Sequence, residues 1–140
     1  WSYCLSKLCS SVVAIDPGKL ADPCPSNVLH WRRKVEECDF TGHCFDILVC
    51  DMNIPVQSLI DLTMRKLDPT QQLPSLVVLT AKRFKGPDTK GKTFEGLIED
   101  VVSALKQQYI VTVVHLISNK SSERTIIAKK IKRQRDHGMP

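Results

Sequence analysis

Apolar positions along the chain fall into two alternating patterns, short continuous runs and longer stretches with helical spacing. The short runs predict buried strands, which occupy 11–16, 27–31, 45–51 and 75–82. Helical spacing predicts helices within 2–9, 56–67 and 93–108. Because predicted strands alternate with helices, we expect a mostly parallel sheet covered on both faces, which is a Rossmann-like α/β fold.

The C-terminal part of the chain departs from this alternation. Apolar runs at 109–117 and 124–131 flank a short polar connection, and they predict a closing antiparallel hairpin. No internal repeat or low-complexity linker interrupts the pattern, so we expect one domain over 1–133 followed by a polar tail at 134–140.

Composition narrows the class of protein without naming it. The 140 residues carry a formal net charge of +5, which permits a polyanionic partner without requiring one. No apolar run approaches the ~20 residues of a membrane span, and no signal peptide pattern is present, so we expect an intracellular, cytoplasmic protein, or an organellar one if the source is eukaryotic.

The six cysteines favour reduced thiols over a disulfide framework or a metal site. No Cys-x-x-Cys pair occurs, and no histidine has metal-ligand spacing, so we expect no metal. Cys50 lies inside an apolar strand, where a free cysteine packs as a small hydrophobic residue.

Charged residues end three of the predicted strands. Asp16, Asp51 and Lys82 each follow an apolar run. Ligands of open α/β sheets bind outside the carboxyl ends of the strands, so three charges at one rim indicate a site. Any one of these charges alone is better explained as the point where a strand returns to water.

Five segments in order resemble successive motifs of the FtsJ-like ribose 2′-O-methyltransferases, and the RlmM branch is the most similar. These segments are VVAIDPGKL (12–20), NVLHWRRKVEE (27–37), FDILVCDMNIP (45–55), VVLTAKRFKG (77–86) and SSERTIIAKK (121–130). The resemblance extends from Trp1 to about Arg133. It implies a methyltransferase sheet, S-adenosylmethionine as cofactor, and RNA, ribosomal RNA in that branch, as substrate.

The resemblance also implies roles for individual residues. Trp1 is similar to the residue that follows the family's glycine-rich motif, and Asp16 to the acid that holds the cofactor ribose. Asp51 matches the acid beside the methionine end of the cofactor and the reacting centre, which makes it a catalytic candidate as well as a cofactor contact. Lys82 matches the proton acceptor, and Glu123 the glutamate that completes the catalytic set.

Two departures from the family pattern affect the cofactor site. The family's first strand, glycine-rich loop and first catalytic lysine would precede Trp1, so we expect these 140 residues to bind S-adenosylmethionine weakly or not at all. Lys34 stands where the branch has an acid near the adenine, and Glu36 or Glu37 is the available substitute.

Cations beside aromatic residues suggest where RNA would bind. Trp31 could stack on a base, and the candidate phosphate contacts are Arg32, Arg33, Arg83 and Lys85. The segment 83–92 is a candidate substrate lip, and 129–135 adds a basic stretch. Solvated surface charge is the plainer explanation for each of these.

Two other functions stay open at this point. One is a catalytically inactive methyltransferase-fold remnant that binds RNA. The other is a different doubly wound protein, such as a nucleotide binder, which would require a phosphate-binding loop.

Overall fold

The computed structural model describes residues 1–55, 58–59, 61, 73–83 and 91–131. The chain divides into two compact units, 1–41 and 42–140, and each is described by itself. The predicted single domain over 1–133 stays a prediction. The predicted tail at 134–140 and most of the predicted helix at 56–67 lie outside the described residues, although Ser58 and Leu59 are helical.

The first unit contains a short helix and a parallel pair of strands. Its elements are α1 (Ser2–Ser6), β1 (Val12–Ile15), β2 (Val28–Trp31) and a 3₁₀ turn (Val35–Glu37). The two strands pair in parallel from Val12–Val28 to Ile15–Trp31. Asn27 directly precedes the second strand and connects it to the helical segment, because its amide nitrogen donates to the carbonyl oxygens of Ser6 (2.8 Å) and Cys9 (3.0 Å).

Within its described residues, the second unit contains a mixed sheet of four strands and one long helix. Its elements are β3 (Ile47–Cys50), β4 (Leu76–Lys82), α2 (Phe94–Leu105), β5 (Tyr109–Val114) and β6 (Glu123–Lys130). The strand order is β3-β4-β6-β5, so the last strand lies between β4 and β5. β3 and β4 are parallel, whereas β6 is antiparallel to both of its neighbours.

The mixed α/β class and the closing antiparallel hairpin are therefore confirmed. The mostly parallel Rossmann-like sheet is present only in part. Among the described strands, parallel pairing occurs between β1 and β2 and between β3 and β4, and these pairs belong to separate sheets.

The core of the second unit forms where α2 covers one face of its sheet. Strand alternation points Val77, Leu79 and Ala81 to this face, and each is at most 2% exposed. The helix buries the stripe that its 3.6-residue period predicts, which is Phe94, Leu97, Ile98, Val101 and Leu105. Thr93 caps the helix, since its side-chain oxygen accepts from the Gly96 N–H at 3.1 Å. Burial of this strand fixes the backbone that leads to Lys82.

Candidate active site

Asp51 and Lys82 lie together at the carboxyl ends of the parallel strands β3 and β4. The Lys82 ammonium is 3.1 Å from the Asp51 carboxylate, and it also donates to the Asp51 backbone carbonyl at 3.1 Å. The Lys82 side chain is 20% exposed, whereas that of Asp51 is 41% exposed. Two contacts to one residue hold the amine at a defined place on the rim, while a solvent-facing carboxylate keeps that place accessible.

Glu123 lies directly across the sheet from Lys82. The two residues are partners in the antiparallel register of β4 and β6, so their side chains leave the same face. The Glu123 carboxylate nevertheless turns back and accepts from the Lys120 backbone N–H at 3.0 Å. The structure therefore places all three predicted catalytic residues at one rim, with the lysine paired to the aspartate and the glutamate capping a turn.

Asn119 organises the loop that delivers Glu123, and sequence reasoning missed it within a polar stretch. Its side-chain oxygen accepts from the Leu116 backbone N–H (2.8 Å) and from the Thr125 hydroxyl (3.1 Å). Its backbone carbonyl lies 3.3 Å from the His115 ring. Thr125 is only 3% exposed, so this contact satisfies a buried hydroxyl two residues after Glu123.

The thiol of Cys50 lies in the apolar interior behind Asp51. Burial raises the pKa of the Cys50 thiol, and the adjacent Asp51 carboxylate acts in the same direction. Cys50 is 7% exposed and belongs to the core, as the strand pattern predicts. All six cysteines lie within the described residues, and none of them forms a disulfide.

Asp16 follows β1 at the carboxyl edge of the first unit's strands. Its carboxylate accepts from the Gly18 backbone N–H at 2.7 Å, and its backbone carbonyl contacts the His30 ring at 2.9 Å. The side chain is exposed and well suited to accept further hydrogen bonds. Because Asp16 belongs to the other unit, a rim shared with Asp51 and Lys82 stays a prediction.

The aromatic and basic residues near Asp16 are partly committed to the first unit. Trp31 stacks on Phe40 with ring centroids 6.0 Å apart, so one ring face is already occupied. The Arg32 guanidinium donates to the Pro17 carbonyl at 3.4 Å, whereas the Arg33 side chain is exposed. Trp1 precedes α1 and is 58% exposed.

The remaining predicted contacts fall at the ends of described segments. Arg83 is exposed, and its backbone N–H donates to Ser122 at 3.0 Å. Lys85, most of the predicted lip and the basic stretch beyond Ile131 lie outside the described residues. Lys130 has a structural contact, since its ammonium donates to the Leu73 carbonyl at 3.2 Å.

Glu37, one of the two candidate acids near Lys34, takes part in a local turn. Its carboxylate accepts from the Lys34 backbone N–H at 3.3 Å, which closes the 3₁₀ turn. This contact gives Glu37 a local structural explanation, and an adenine-binding role for it stays a prediction.

Sequence reasoning also missed a phosphate-binding pattern. Residues 86–93 read GPDTKGKT, which fits G-x-x-x-x-G-K-[ST]. The pattern lies between β4 and α2, the strand-to-helix context that such a loop requires. Gly91 has a φ of +85°, a left-handed conformation that favours glycine. Lys92, however, pairs with Asp100 at 2.6 Å, and Thr93 caps the helix.

The described residues hold neither a metal-ligand cluster nor a membrane-spanning helix. Within the described ranges, no cluster of three or more His, Cys, Asp or Glu side chains could hold a metal ion. None of the helices there has the length and apolar character that a bilayer span needs.

No family model matches the chain, and no curated protein does. Solved structures do match, among them a crystal structure described as a "putative rRNA-methylase" from Clostridium thermocellum. The similarity covers 89% of this chain and 74% of that one, with 15% sequence identity and a TM-score of 0.44.

Proposed function

We propose that the chain belongs to an S-adenosylmethionine-dependent methyltransferase that modifies the ribose 2′-hydroxyl of RNA, with ribosomal RNA as the first substrate to test. The observation that carries the proposal is the pairing of Lys82 with Asp51 at a strand rim, with Glu123 opposite in the register. The order of motifs along the sequence, which resembles the FtsJ-like enzymes, supports it.

Two acidic residues of the chain are candidates to bind the ribose and the methionine end of S-adenosylmethionine. The exposed Asp16 carboxylate could accept hydrogen bonds from the ribose diol, and Asp51 would face the methionine end. Bound S-adenosylmethionine supplies an electrophilic methyl group on a sulfonium. A ribose hydroxyl is a weak nucleophile, so the chain must orient it and remove its proton.

Lys82 is the residue we assign to that proton. Its Nζ would meet the hydroxyl, while the two contacts to Asp51 limit the positions that the amine can take. Methyl transfer is an in-line displacement, so such positioning should supply much of the rate enhancement. Arg83 and Arg33, both exposed, are candidates to hold RNA phosphates.

The direct test is transfer of labelled methyl from S-adenosylmethionine to ribosomal RNA by the full-length protein, followed by nuclease digestion to locate the label. Label on a ribose 2′-oxygen is the expected result. RNA binding without transfer would favour the inactive remnant instead. Label on a base would overturn the ribose assignment.

A second candidate function rests on the GPDTKGKT pattern. Lys92 and the helix N-terminus that follows could bind nucleotide phosphates if Lys92 left Asp100. Calorimetry with ATP and magnesium would decide, with Lys92→Ala compared with Asp100→Asn. Nucleotide binding that Lys92→Ala abolishes and Asp100→Asn strengthens would favour this function over methyl transfer.

A further inference from the structure

Strand β5 is the outer edge of the second unit's sheet, as far as the described residues extend. The Ile131 N–H donates to the Gln108 carbonyl at 3.0 Å, so even-numbered residues of this ladder direct their backbone groups toward β6. By the alternation of an antiparallel pair, Tyr109, Val111 and Val113 direct their N–H and C=O groups outward. The edge therefore presents a row of pairing groups.

This edge lacks the features that usually protect one. Tyr109–Val114 (YIVTVV) contains no charge and no proline, and it pairs one-to-one with β6 over its whole length without a bulge. Apolar side chains are exposed along the strand and beside it: Ile110 (66%), Val113 (40%), Leu116 (42%), Ile117 (107%) and Ile131 (44%). Such a segment is a template for another strand.

Two copies of this edge are complementary to each other. A two-fold axis normal to the sheet would relate the two antiparallel β5 strands and keep each side chain on its own face of the joined sheet. An odd-numbered residue must therefore lie opposite an odd-numbered residue, and an even-numbered residue opposite an even-numbered one. Val111 then lies opposite Val111 of the second copy, and Tyr109 lies opposite Val113. Every hydrogen bond of this register uses the outward backbone groups.

Charge on α2 favours the same arrangement. Glu95 and Glu99 line a groove of about 290 Å³ beside Val113, and Arg124, whose guanidinium lies over the Phe94 ring, lines it as well, so the groove carries one more acid than base. Lys106 ends the helix on the same stripe, eleven residues after Glu95, next to the start of β5. The two-fold axis places the Val113 end of one copy beside the Tyr109 end of the other. Glu95 and Glu99 of each copy then face Lys106 of the other copy, so the contact occurs once on each side of the axis.

We propose that the protein forms a symmetric dimer in which β5 pairs antiparallel with β5 of a second copy. The four-stranded sheets join into one sheet of eight, and the α2 helices flank the seam. The proposal is independent of the chemistry assigned to Lys82.

Sedimentation velocity at low ionic strength tests the pairing through reciprocal charge variants. Glu99→Lys alone and Lys106→Glu alone each create two like-charge contacts, and each should weaken dimerisation about tenfold. A mixture of the two variants restores opposite charges at both contacts and should form a heterodimer as tightly as wild type. High salt should reduce these differences.

Val113→Pro tests the strand itself. Its lost N–H faces outward, so the internal ladder stays intact and the fold should survive, as circular dichroism would verify. Val113→Thr is the matched control and should still dimerise. A wild-type protein that stays monomeric at high concentration overturns the proposal. A dimer that tolerates both Val113→Pro and the charge reversals overturns it as well.

Discussion

The loop before β6 depends on one side-chain oxygen, and Asn119→Ala removes it. The buried Thr125 hydroxyl loses its partner, and so does the Leu116 N–H. A net hydrogen bond contributes about 1 kcal/mol, and an unsatisfied buried hydroxyl costs about 1–3 kcal/mol. Leu116 is 42% exposed, so its backbone N–H can bond to water instead. We therefore expect Asn119→Ala to lower the free energy of unfolding by about 2 kcal/mol in total.

Urea unfolding of Asn119→Ala, Thr125→Val and the double variant measures this loss. Thr125→Val removes the hydroxyl that Asn119 satisfies, so the double variant should lose about 1 kcal/mol less than the sum of the singles. Ser118→Ala, at an exposed neighbouring position, should change the free energy of unfolding by less than about 0.5 kcal/mol. Additive single effects would show that the Asn119–Thr125 contact has no energetic role.

Three further predictions concern other parts of the chain. Burial raises the pKa of the Cys50 thiol, so as pH rises the unfolded chain loses this proton first, at about pH 8.5. The free energy of unfolding should therefore fall as pH rises from there through the pKa of the folded state. Urea unfolding at several pH values measures this loss, and Cys50→Val should remove the part that the thiol causes. Leu79→Ala, at a fully buried position, should cost about 2–5 kcal/mol in the same assay, whereas Ile110→Ala, at an exposed one, should cost far less. In the full-length protein, Asp16→Ala should weaken S-adenosylmethionine binding by about 1–3 kcal/mol in calorimetry without changing RNA binding, and an equal loss of both would make Asp16 a structural residue.

Hydrophobic periodicity predicted the strands and α2 because burial decides both. The alternation through Val77 and Leu79 defines the covered face, and the Phe94–Leu105 stripe matches it. The rule that ligands bind at carboxyl ends of strands singled out Asp51 and Lys82, which the fold brings to 3.1 Å.

Other features depend on pairing that a single sequence does not encode locally. The insertion of β6 between β4 and β5 is a choice among strand partners, so the register of Glu123 with Lys82 could not be predicted. The stacking of Trp31 on Phe40 joins residues nine positions apart through a turn, and it competes with the predicted base stacking. Asn119 lies in a polar loop, where the hydropathy pattern does not distinguish it from its polar neighbours, so its contacts could not be predicted.

If Lys82 accepts the ribose proton, Lys82→Ala and Lys82→Arg of the full-length protein should both lose single-turnover methyl transfer to RNA at saturating cofactor and substrate. The arginine variant should fail because a guanidinium is not deprotonated at working pH, and both variants should keep cofactor affinity and fold. Lys106→Arg, at an exposed helix end, is the matched control and should keep the wild-type rate. If Lys82→Arg transfers methyl at most of the wild-type rate, Lys82 is a structural or phosphate-binding residue and the catalytic assignment is wrong.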